Sequence, residues 1–95
     1  MTDNDKFAVK FSIIQTLTGK TTTQLANMLG YSRTHLYKVL AGNRSASTGV
    51  VDSLNALILF VYGSNMLDLI NETINLVETT ETGRLLAEGY NVRNR

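Results

Sequence analysis

Apolar residues recur three and four positions apart along most of this chain, and glycines rather than prolines separate the runs. That spacing puts one apolar stripe on each of several short helices, so the sequence reads as all-α. Phe7, Phe11, Ile14 and Leu17 form the first stripe, predicting a helix over Lys6 to Leu17 that ends at Gly19. Thr21-x-x-Gln24 is a capping box, in which each side chain satisfies the other's backbone N–H. It opens a second helix with Leu25, Ala26 and Leu29 on one face, and Gly30 closes it. Ser32 is the N-cap of a third helix that turns Leu36, Val39 and Leu40 inward and stops at Gly42.

Ser47 or Thr48 caps a fourth helix, whose inner stripe is Val51, Leu54, Leu57 or Ile58, and Val61. Gly63 ends it. Ser64 caps a fifth, with Leu67, Ile70, Ile74 and Val77 on one side and Asp68, Asn71, Glu72, Asn75 and Glu78 opposite. A short sixth helix fits Arg84 to Glu88. The segment Ala56 to Tyr62 is apolar all round and fits a buried strand as well as a helix. It has no partner strand and keeps the phase of Val51 and Leu54, which favours helix. Ninety-five residues suit one domain. Its parts are a core over 6–62, a helical extension over 63–90 and a loose tail over 91–95.

Composition removes several function classes. The chain has no cysteine, so disulfides and thiol chemistry are absent, and His35 is its only histidine. A histidine metal cluster is therefore implausible, and no cofactor is implied. A serine nucleophile would lack its base, and Glu78 and Glu81 fall in a solvated stretch, so no enzyme is expected. Met1 to Asp5 lack the apolar core of a signal peptide. The longest apolar run is far shorter than the roughly 20 residues that span a bilayer. A cytoplasmic protein with no membrane partner is the expectation.

The net charge is only +1, but its distribution is uneven. From Lys6 to Val51 there are six bases and no acid; from Asp52 to Tyr90 there are six acids and one base. A basic half of this kind offers a surface to a polyanion. Within it lies a two-helix unit with a tight turn. Ala26 is small enough for close helix crossing, and Gly30 supplies the turn's backbone conformation. The third helix leaves Arg33, Thr34, His35, Tyr37 and Lys38 outside. All can hydrogen-bond and none is acidic, which suits a groove rich in acceptors and flanked by phosphates.

These residues resemble a known pattern. The stretch Thr21 to Ser47, TTTQLANMLGYSRTHLYKVLAGNRSAS, is similar to the helix-turn-helix of the Cro/C1-type regulators of phages, plasmids and bacteria. Leu25-Ala26, Leu29-Gly30, Leu36 and Val39 stand at its signature positions, and Ala41 to Arg44 resemble its close. The match covers about a quarter of the chain. The resemblance implies a five- or six-helix, lambda-repressor-like domain that reads the DNA major groove with the helix from about Arg33 to Ala41. Arg33, Thr34 and Lys38 would face base edges, with Ser32 and Tyr37 beside them. Thr22, Asn43 and Arg44 would hold phosphates. Two positions depart from the family: Ala46 stands where proline is common, and Tyr31 where a small aliphatic is usual.

The function so implied is sequence-specific regulation of transcription, as a repressor. Such modules act as homodimers on palindromic sites with half-sites about 34 Å apart. Leu59, Phe60, Tyr62, the fifth helix and Leu85-Leu86 supply apolar surface for that interface. The alternative is a protein-interaction module on the same fold, such as an antitoxin or a phage-encoded inhibitor.

Overall fold

The structure is a computed structural model and describes residues 2–79. Five α-helices follow one another: α1 Asp3–Thr18, α2 Thr22–Leu29, α3 Arg33–Leu40, α4 Thr48–Tyr62 and α5 Ser64–Thr79. There is no strand among the described residues, so Ala56 to Tyr62 is helical. None of these helices is long and apolar enough to cross a membrane. The sixth helix expected near Arg84, the Leu85-Leu86 surface and the basic tail lie outside the described residues.

Local chemistry explains where the helices begin. Thr2 and Asp5 form a capping box, with Thr2 Oγ1 accepting from Asp5 N–H at 3.1 Å and Asp5 Oδ2 accepting from Thr2 N–H at 3.2 Å. This places the start of α1 three residues before the expected Lys6. Asp3 and Asp5 also complement the positive end of the helix dipole. Thr21 and Gln24 make the predicted box on α2, and Ser32 and Ser47 cap α3 and α4. The fifth helix differs from expectation. Gly63 C=O accepts from Leu67 N–H at 3.3 Å, so Gly63 occupies the capping position and Ser64 is already helical.

One hydrophobic core joins all five helices: Phe7, Phe11 and Ile14 of α1, Leu25, Ala26 and Leu29 of α2, Leu36 and Val39 of α3, Val50, Leu54 and Ile58 of α4, and Ile70 and Ile74 of α5. The inner face of α5 thus belongs to the same core as 6–62. Two stripes run differently from the expected ones. Leu17 is half exposed, because the stripe through Phe7, Phe11 and Ile14 continues to position 18, not 17. Thr18 takes that place and bonds its hydroxyl back to Ile14 C=O at 2.7 Å. On α4 the buried line is Val50, Leu54 and Ile58, whereas Val51 and Leu57 are half-buried. Val61 is exposed in the last turn of α4.

Candidate nucleic-acid interface

The α2–turn–α3 unit is held by backbone bonds that need its glycines. Gly30 is left-handed at φ 83°. Tyr31 N–H donates to Ala26 C=O at 3.0 Å and Gly30 N–H to Asn27 C=O at 3.2 Å. These are the paired bonds of a Schellman close. The same arrangement ends α3. Gly42, at φ 79°, donates to Val39 C=O at 3.1 Å, and Asn43 N–H donates to Lys38 C=O at 2.9 Å. Arg44 N–H shares that carbonyl at 3.2 Å, so the residues after α3 are folded back onto its last turn.

With Leu36 and Val39 fully buried, the opposite side of α3 is free. Arg33, Thr34, Tyr37 and Lys38 are all exposed there, and Asn43 and Arg44 are exposed just beyond. Ser32 is exposed too, but its Oγ accepts from His35 N–H at 3.1 Å and so holds the helix start. Thr22 is half-buried. Its Oγ1 accepts from Gln15 Nε2 at 3.0 Å, tying the start of α2 to the end of α1.

His35 does not stand out with its neighbours. It is half-buried and stacked on Tyr31, with ring centroids 5.0 Å apart. Its Nε2 is shielded and has no hydrogen-bond partner among the described residues. That atom is therefore turned away from the outer face on which the sequence placed His35. Tyr31, large for its position, has two uses. Its ring covers His35, and its hydroxyl reaches the first turn of α4, where a Cβ on Gly49 would lie only 3.1 Å from Oη.

The basic segment divides between two surroundings. Lys6 pairs with Glu78 of α5 at 3.3 Å, and Lys10 is buried against α4 through Asn55. Lys20, Arg33, Lys38 and Arg44 are exposed. The acidic start of α1 lies beside the loop after α3, because Asn4 is bonded to that loop.

Asn4 is the site residue that sequence reasoning missed. Its Nδ2 donates to Val39 C=O at 2.8 Å and to Arg44 C=O at 2.7 Å. Its Oδ1 accepts from Ala46 N–H at 3.3 Å. One side chain thus fixes the end of α3 and both sides of the Arg44–Ala46 loop. Nothing in the local pattern of a polar N-terminus announces this, since its partners lie about forty residues away.

The described residues contain no group of three or more His, Asp or Glu side chains able to hold a metal ion. Comparison of the chain with family models, curated proteins and solved structures finds no match.

Proposed function

We propose that the chain binds double-stranded DNA as a helix-turn-helix protein of the Cro/C1 type, laying α3 in the major groove. The observation that carries this reading is the free face of α3. Arg33, Thr34, Tyr37 and Lys38 are exposed, acid-free and able to hydrogen-bond, on a helix whose other side is fixed in the core. Arginine and lysine there suit guanine O6 and N7, and threonine suits either a base edge or a thymine methyl. Asn43 and Arg44, on a loop anchored by Lys38 C=O and Asn4, suit phosphate oxygens. Thr22 and Ser32 mainly brace the two helix starts, and Tyr37 flanks the reading positions. The biological role in this reading is repression of transcription, in the cytoplasm, by a homodimer on a palindromic operator.

Selection of bound fragments from a random genomic library tests this. A recovered, enriched sequence supports it; no recovery at low salt overturns it. Arg33→Ala is expected to lose about 1–3 kcal/mol and to relax preference at one base position. Arg44→Ala is expected to weaken binding across all sequences and to lower the salt slope by about one.

A second reading, a protein-interaction module that keeps the fold without reading DNA, is favoured by one feature. Phe60 is 91% exposed at the end of α4, and Leu69 and Leu76 face outward on α5. An exposed phenylalanine suits a protein partner better than a phosphate. Failure to recover DNA together with a stable protein complex lost on changing Phe60 favours that reading.

A further inference from the structure

A cleft of about 310 Å³ opens between the first turns of α1 and the start of α4. Its walls include Asp3, Lys6, Phe7, Lys10, Thr48 and Val51. No residue of α3 lines it, and it holds a charge that the fold does not explain.

Lys10 is only 9% exposed. Its ammonium has three donors, and among the described residues one of them is used, on the neutral Asn55 Oδ1 at 2.8 Å. The ion pair of this region belongs to its neighbour Lys6, which engages Glu78. Lys10 itself pairs with no carboxylate among the described residues. Burying an ammonium without an anion is costly, and a methionine would fill the same volume without that cost. Burial also lowers the proton affinity of Lys10, the mark of a charge held in poor solvent.

The rest of the cleft suits a small anion. In the opening turn of α4, Ser47 Oγ accepts from Val50 N–H, and the N–H of Thr48, which lines the cleft, has no partner among the described residues at the positive end of the helix. Phe7, Val51 and Leu54 make an apolar floor. Asp3 at the rim works against a second negative charge. The volume is at the small end for ligand sites.

We propose that this cleft binds a small aliphatic monocarboxylate, its carboxylate on Lys10 Nζ and its short alkyl chain against Val51 and Phe7. Thr48 Oγ1 is the second donor available to the carboxylate. The site lies where the Arg44–Ala46 loop enters α4, so a bound acid would bridge that loop's exit to α1.

The test is an amide-resolved NMR titration of the full chain with butyrate, and with n-butylammonium as the same chain bearing the opposite charge. Butyrate is expected to shift the amides of Lys10, Thr48 and Val51 saturably, and butylammonium is not. Lys10→Met is expected to abolish the response. Val51→Phe, which fills the cleft and keeps the charge, is expected to weaken it about tenfold or more. The proposal is overturned if butyrate gives no saturable shift, if butylammonium acts equally, or if either folded variant binds as the parent does. Should Lys10→Met not fold, Val51→Phe and the two probes decide.

Discussion

Two side chains of α1 contribute to this fold in opposite senses. Asn4 satisfies one carbonyl at the end of α3 and one carbonyl and one N–H of the loop after it. Each such bond is worth about 1 kcal/mol net, less where water competes. Asn4→Ala is therefore expected to lower stability by about 1–2 kcal/mol in urea unfolding. Asn4→Asp keeps the acceptor for Ala46 but aims a carboxylate at two carbonyls, so it is expected to cost more than alanine. Equal stability of parent and both variants would remove Asn4 from its assigned role. Lys10 acts against stability at neutral pH. Its folded-state proton affinity lies below the ordinary 10.5 because burial penalises the charged form. Between the lowered value and 10.5 the unfolded chain binds more protons, so stability from this residue rises with pH through that window. Below the window the penalty is complete. Lys10→Met is expected to be more stable than the parent at neutral pH, by the desolvation cost removed less the bond to Asn55 that is lost. That advantage should shrink as pH approaches 10.5, read as the difference between two urea titrations in each buffer.

The helices show which features a sequence displays and which it conceals. Caps are local, so Thr21, Gln24 and Ser32 were legible, as were the closing glycines after α2 and α3, while the cap of α4 was narrowed only to Ser47 or Thr48, of which Ser47 serves. The buried faces of α2 and α3 were legible too, and with them the exposed Arg33, Thr34, Tyr37 and Lys38. Phase was harder where several apolar residues compete. Val50 and Val51 are equally suitable chemically, and only packing against the other helices selects Val50. The stack of His35 beneath Tyr31 and the bonds of Asn4 depend on tertiary approach, which no local pattern encodes. Gly30 allows a clean test of the turn. At φ 83° a side chain is strained, yet a Cβ there would meet nothing within 4 Å. The cost of Gly30→Ala is thus conformational alone, about 1 kcal/mol. The denaturation midpoint should fall with an unchanged slope. A much larger loss, or a changed slope, would mean that the turn itself had rearranged.

For the whole molecule, the DNA reading carries a requirement for symmetry. A single α3 presents four outward side chains, enough for a few base pairs, and two copies related by a two-fold axis double that reach. The surface away from α3 has apolar groups that the core does not use. Phe60 is almost wholly exposed, Leu59 is half exposed beside it, and Leu69 and Leu76 lie seven residues apart on the outer side of α5. Burying one phenylalanine from water contributes about 2 kcal/mol, and a two-fold interface buries two copies. Phe60→Glu is then expected to raise the dimer Kd by about a thousandfold. Its own fold should survive, because this side chain touches little of the core. Sedimentation equilibrium without DNA should find the parent dimeric at high micromolar concentration and the variant monomeric. Affinity for a palindromic site should fall in the variant while affinity for an isolated half-site is kept. A monomeric parent at that concentration rules the interface out, whereas equal losses on palindrome and half-site would place Phe60 in the DNA contact itself.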